Sequence, residues 1–231
     1  MNGGVNEEKK HSFEDLHMTR IYDISRTISP TLAVWPGDTP FSFVHNLRLR
    51  DGAAVNLTTL TLSAHTGSHI DAPYHYVDER LHPADLPLET YLGPAHVVTI
   101  ARRQGGIVPD DFAGRELAGM LRLLIHTWVS DLPDDQWSDD FPYPTPELAD
   151  WLAEQGVILL GLDSPSVDSR ESQTLPCHHR LYDHGIANLE NVRLAGVPDG
   201  VYELIALPLK IAGVCGSPVR AILRSLPRGA E

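Results

Sequence analysis

Cysteine is scarce in this chain: Cys177 and Cys215 are the only two among 231 residues. Two cysteines so far apart exclude a disulfide framework and point to a reducing compartment, with a single bridge left open. Positive charge is also scarce, 18 lysines and arginines against 31 aspartates and glutamates, for a formal net charge of -13. Such a chain repels phosphate backbones and anionic lipid heads, which excludes nucleic acid and membrane surfaces as main partners. No apolar run approaches the ~20 residues that span a bilayer. The first nineteen residues are polar and lack the apolar centre of a secretory signal, so the expected location is cytoplasmic. Residues 1–19 are expected to be a flexible extension, with Met18 as an alternative start, and 20–231 a single domain.

What the chain does contain is an ordinary globular composition, 42% apolar and 21% charged, at a length that one core still serves efficiently. The spacing predicts strands at 21–25, at 41–49 with a half-buried two-residue period, at 55–63 and at 96–101. Apolar runs predict further strands at 121–127 and 157–162, the latter buried on both faces, and closing strands at 201–209 and 219–224. A helix is expected over 110–119, and another after Thr145-Pro146, a cap followed by a tolerated first-turn proline, with Leu148, Trp151 and Leu152 on one face and Gly156 as its stop. Residues 178–184 predict two further helical turns. The proline-rich stretch 73–94 reads as a long excursion able to cover a site. Strands outnumber helices and the two intermix, so the fold class is α/β: one mixed-sheet domain, strand-rich with a few helices.

The chemistry concentrates in Ser63 to Tyr76, where His65, His69, Asp71 and His75 fall within eleven residues around Gly67 and Pro73. Neutral imidazole and carboxylate are the usual ligands of zinc and related divalent metals. A lone histidine is more often a surface or hydrogen-bonded residue; four ligand-type residues at this density favour a metal site over a hydrogen-bonded loop. In a straight strand, His65 and His69 would stand ~13 Å apart, too far for one ion with ~2 Å bonds. Pro73 argues against a long helix, so a bend at Gly67, which can adopt angles other residues avoid, is predicted to fold His65 back toward His69 and Asp71.

With these residues in view, His-Thr-Gly-Ser-His-Ile-Asp-Ala-Pro-Tyr-His resembles the signature His-x-Gly-x-His-x-Asp-x-Pro-x-His of the metal-dependent cyclase superfamily. Tyr-Asp-Ile-Ser at 22–25, Val-Trp-Pro-Gly-Asp-Thr-Pro at 34–40, Leu-Asp-Ser-Pro-Ser-Val-Asp at 162–168, Tyr-Glu-Leu-Ile-Ala-Leu-Pro-Leu at 202–209 and Ser-Pro-Val-Arg-Ala at 217–221 are similar to bacterial kynurenine formamidases within it. The resemblance implies that His65, His69 and Asp71 bind metal, that His178 and Glu190 complete a second position, that His75 is catalytic, and that Trp35 contacts an aromatic substrate. His179 is the close rival of His178, and Cys177 a weaker candidate ligand. From the residues alone, Trp35 in a Pro-Gly turn is a packing residue, and the His178-His179 pair beside Arg180 equally suits a solvated helix end. Asn188 departs from the apolar residue expected before Leu-Glu.

The same resemblance implies hydrolysis of N-formyl-L-kynurenine to L-kynurenine and formate by metal-activated water, with His75 shuttling the proton. It further implies two zinc ions per subunit, manganese or another divalent metal being open, and a homodimer. The competing readings are a relative acting on a cyclic amide such as isatin, and a non-catalytic metal-binding module.

Overall fold

The computed structural model describes residues 19–226 apart from Glu116 and Ala118; the expected extension up to Met18 lies outside the described residues. In chain order the strands begin with β1 (Ile21–Asp23), β2 (Ser42–Leu47), β3 (Leu57–Thr61), β4 (His69–Asp71) and β5 (Leu92–Thr99). They continue with β6 (Gly105–Ile107), β7 (Arg122–His126) and β8 (Pro142–Pro144), after which helix α1 (Pro146–Glu154) leads to β9 (Leu159–Leu162). Helix α2 (Pro176–Asp183) precedes β10 (Ala187–Glu190), and β11 (Gly200–Ile205), β12 (Gly216–Pro218) and β13 (Ile222–Ser225) close the chain. Nine strands form one mixed sheet in the order β1-β13-β11-β5-β7-β9-β10-β4-β12. Its centre, β5-β7-β9-β10, is parallel, and antiparallel pairs extend it on both sides.

The apolar runs read from the sequence become the central strands because each faces a core on both sides. Leu123 and Ile125 of β7 and Leu160 and Leu162 of β9 join Leu148, Leu152 and Leu181 of the two helices in one cluster. Leu124 and Leu159, one residue out of phase, join Ile70, Val97, Leu189, Leu204 and Leu223 in the other. That alternation is the two-residue period of a strand buried on both faces. Helix α1 starts where predicted, with the Thr145 hydroxyl accepting the Leu148 N–H at 3.3 Å. Leu148 and Leu152 are fully buried, and Trp151 packs partly buried against the same cluster.

Three expectations are corrected. Strand β2 forms within 41–49 but is not half-buried: among the described residues it pairs only with β3 and no layer packs on the hairpin, so every residue of the two strands is exposed. Among the described residues of 110–119 the only helical turn is the 3-10 turn Pro109–Phe112, not a longer helix; Gly114 at φ +78° and Gly119 at φ +74° break the right-handed path. The strand expected at 219–224 begins only at Ile222, as β13, with residues 219–221 connecting it to β12, which ends at Pro218. No helix among the described residues is long and apolar enough to cross a membrane.

The cap at Thr145 gives a direct stability test. Thr145→Ala leaves a helix N–H without its acceptor and is expected to lower unfolding free energy by about 1 kcal/mol, measured as a shift of the urea midpoint at unchanged slope; an unshifted midpoint contradicts the capping role.

Candidate metal centre

The predicted bend is present. Between β3 and β4 the chain turns through residues 64–68, Gly67 takes the left-handed φ of +69°, and an added Cβ there would also press to 3.3 Å from Ile28 Cγ1. His65 therefore folds back, its ring 5.0 Å from that of His69. Past β4, a 3-10 turn over Pro73–His75 brings His75 beside His65, ring centroids 4.2 Å apart.

Sheet register supplies the rest. Strand β4 lies between β10 and β12 with Glu190 opposite His69 and Gly216 opposite Asp71. Gly216 is required here: an added Cβ would stand 2.8 Å from His65 Cε1 and 2.9 Å from the Ile70 carbonyl oxygen. Helix α2 aims His178, not His179, at the cluster; His178 is buried and His179 exposed. The His178 Nε2 lies 3.4 Å from Asp71 Oδ2 and 3.6 Å from Glu190 Oε1. The His69 Nε2 lies 3.5 Å from Asp71 Oδ1 and 3.4 Å from Glu190 Oε2.

These separations exceed ordinary hydrogen bonds of ~2.7–3.2 Å and match the ~3.3 Å edge of a tetrahedron whose arms are the ~2.05 Å of zinc–nitrogen or zinc–oxygen bonds. Electrostatics agrees. Burial alone disfavours a charged imidazole, yet Asp71 and Glu190 raise the pKa of His69 to about 10. Burial is likewise overridden at His178, where Asp168 and Asp71 raise the pKa to about 10. Burial favours the neutral acid at Asp71, but the close imidazoles of His178, His65 and His69 hold its pKa well below the usual carboxylate value. A nest that draws protons onto two buried imidazoles is short of positive charge. Asp71 Oδ1 is moreover a buried oxygen that, with His65 Nδ1 only 2.9 Å away, still receives no well-directed hydrogen bond among the described residues, a costly state for a carboxylate unless a cation meets it. The donor set and this orphaned atom fit a divalent metal.

Each of the three imidazoles nearest Asp71 is anchored through its other nitrogen. The His69 Nδ1 is 2.9 Å from the Gly67 carbonyl, the His178 Nδ1 is 2.7 Å from Asp168 Oδ2, and the His65 Nε2 is 3.2 Å from the Cys215 sulfur. Such outer partners fix the tautomer and ring orientation of a metal-ligating histidine. Asp168 also accepts the N–H groups of Cys177 and His178, both at 3.0 Å, so it holds the start of α2 as well as the imidazole. Asn188 donates to Asp71 Oδ2 at 2.8 Å and to Glu190 Oε1 at 2.9 Å, tying the two carboxylates together. Cys177 turns into the helix-side core, away from the cluster.

A cavity of about 350 Å³ opens over this floor, lined by His65, His69, His75, His178 and Glu190 below and by Trp35 and Trp137 among its walls. The two tryptophans meet edge to face at 5.5 Å. Trp35 is thus one of the cavity-lining residues. The excursion 73–94 contributes only His75 to the lining, and the cover comes from 33–38 and 165–175. Sequence reasoning assigned no role to Asp168, Asn188, Cys215 or Trp137. Only Pro176, a first-turn proline that leaves neighbouring N–H groups in want of an acceptor, signalled something like Asp168.

Buried imidazoles and carboxylates around one orphaned oxygen, opening on an aromatic-walled cavity, are the equipment of a metal-dependent hydrolase. Comparison with known proteins narrows that class: the chain belongs to the Cyclase family, whose model matches residues 22–169. It is 45% identical over 208 residues to a kynurenine formamidase of Salinibacter ruber, covering 90% of this chain and 98% of that one. It is 44% identical over 212 residues to a kynurenine formamidase of Erythrobacter litoralis, covering 90% and 95%. Among solved structures, a potential metal-dependent hydrolase with cyclase activity matches with TM-score 0.78 at 25% identity, covering 90% of this chain and 99% of that one. Isatin hydrolase A of Labrenzia aggregata, bound to benzyl benzoate, matches with TM-score 0.77 at 25% identity, covering 90% and 94%.

The outer partner of His178 yields a test. Asp168→Ala is expected to weaken divalent-metal affinity about 10–100-fold, read by competition with a chromogenic chelator; unchanged affinity contradicts the anchoring role.

Proposed function

We propose that the protein hydrolyses N-formyl-L-kynurenine to L-kynurenine and formate. The observation that carries this reading is near-complete alignment at 44–45% identity with two kynurenine formamidases, together with a cavity that sets aromatic walls over the imidazole and carboxylate floor. The isatin hydrolase match is at lower identity and leaves the cyclic-amide reading second.

The ion is zinc, two per subunit, with manganese the rival occupant. Supporting two positions, Asp71 and Glu190 each offer one oxygen toward His69 and the other toward His178, and His65 Nδ1 lies 2.9 Å from Asp71 Oδ1 on the His69 side. A divalent ion held by these residues supplies Lewis acidity, which acidifies water and polarises a carbonyl oxygen. The chain's own residues do the rest. Trp35 and Trp137 hold the aryl ring by edge and face. Asp168 and Asn188 keep the donors in place as charge shifts during the reaction.

Hydrolysis adds water to the formyl carbon and breaks its bond to the aniline nitrogen, which leaves poorly unless protonated. His75 takes the proton from water and gives it to that nitrogen. Desolvation holds the His75 pKa below the ordinary imidazole value, with His65 and His178 acting in the same direction against Asp71 and Glu190. The ring is therefore neutral at pH 7 and ready to accept.

The assembly is a homodimer in a reducing, cytoplasmic setting. Both cysteines are free. The lone hairpin β2–β3 exposes Phe43 and Leu60 on one face and Val44, Leu47 and Leu57 on the other. A two-stranded hairpin is marginal by itself, and apolar side chains on both faces suit burial against a second copy.

The purified protein, loaded with zinc, is expected to release formate and L-kynurenine from N-formyl-L-kynurenine, and chelation to abolish the release. His75→Ala is expected to keep its metal and lose about 10²–10⁴-fold in kcat; full turnover at full metal content rules out the proton transfer. Val44→Glu with Leu60→Glu is expected to convert a dimer to monomer in sedimentation velocity, and an unchanged sedimentation coefficient rejects the hairpin interface.

A further inference from the structure

One side chain of the cavity has no part in the chemistry described so far. The turn Trp35-Pro36-Gly37-Asp38 is closed by the Asp38 N–H on the Trp35 carbonyl at 2.9 Å, with Gly37 at φ +97°. This turn delivers Trp35 and Asp38 to the same cavity. Asp38 Oδ1 accepts the Thr39 N–H at 2.6 Å, and no side chain among the described residues pairs with Oδ2. The other carboxylate in the lining, Glu190, is spent: it faces His69 and His178 and accepts from Val167 and Asn188. Among the described residues no lysine or arginine lines the cavity; Arg170, 5.3 Å from the Trp35 ring, is paired with Asp139 at 3.1 Å.

We propose that Asp38 selects substrates by their head group, receiving the α-ammonium of an aryl-formamide amino acid while Trp35 holds its ring. The inference rests on the aryl-formamide hydrolase reading and deepens it. A free carboxylate beside the Trp35 wall, away from the imidazole and carboxylate floor, favours an ammonium group through a charge-assisted hydrogen bond. The carboxylate on the same carbon is met by hydroxyl donors of the lining, Ser169 and Ser172. A neutral cyclic amide has nothing for Asp38 to hold, so the same residue separates the amino-acid substrate from the cyclic one. An aryl formamide bearing only a carboxylate is repelled.

The test compares kcat/KM for three aryl formamides: N-formyl-L-kynurenine, formanilide, which lacks any head group, and N-formylanthranilate, which carries a carboxylate alone. The zinc-loaded wild type is set against Asp38→Asn and Asp38→Lys. Asp38→Asn is expected to lower the ratio of N-formyl-L-kynurenine to formanilide about tenfold, the scale of one charged hydrogen bond. Asp38→Lys is expected to lower it further and to raise N-formylanthranilate relative to formanilide, a gain that damaged folding cannot produce. Ratios within roughly twofold of wild type in both variants overturn the assignment. A wild type that cleaves formanilide as well as N-formyl-L-kynurenine also overturns it, leaving the hydrolase reading intact. A wild type that cleaves none of the three overturns the hydrolase reading itself.

Discussion

The carboxylate of Asp71 governs the arrangement. It is buried among His65, His69 and His178, with Asn188 donating to one oxygen and, among the described residues, no well-directed hydrogen bond to the other. Placing a charge so deep costs several kcal/mol unless it is paired and hydrogen-bonded. The surrounding backbone is built to meet that cost. Strand β4 is short and flanked on both sides, so its ladder is satisfied while His69 and Asp71 face the cluster and Ile70 the apolar core. Gly67, at φ +69°, turns the chain, and Gly216 leaves room for the His65 ring to fold back over it.

Stability and chemistry share this constraint. The parallel centre of the sheet carries apolar residues to both faces and fixes where β9 and β10 end. From those ends come Asp163, buried under the amide and hydroxyl groups of Thr127 and Ser130, and Glu190, held by Val167 and Asn188. Asp168 couples the two levels most directly, because one carboxylate both starts helix α2 and orients His178. The rigid floor contrasts with the walls, where Trp35, Trp137 and Asp38 come from turns and loops. Loops of this kind vary substrate choice without disturbing the core that holds the donors.

What could be read from the sequence was what is local. The four residues from His65 to His75 declared themselves by density, and the bend at Gly67 followed from the impossibility of a straight strand. The strands at 121–127 and 157–162 and the start of α1 were equally legible, since apolar run, cap and proline act over a few residues. His178 and Glu190 came from resemblance alone, because their spacing has no period that demands a metal. Asn188 meets Asp71 across 117 residues of chain, and Cys215 meets His65 across 150; such pairs depend on sheet register, which no local pattern encodes. The exposed hairpin misled for a related reason: alternation predicts a strand, but burial depends on what packs against it.

The most direct measurement is anomalous X-ray scattering at the zinc edge from crystals of the purified, active protein. The account predicts peaks within bonding distance of Asp71, one toward His69 and one toward His178, in preparations that hydrolyse N-formyl-L-kynurenine. Active crystals with no anomalous peak at Asp71 would contradict it.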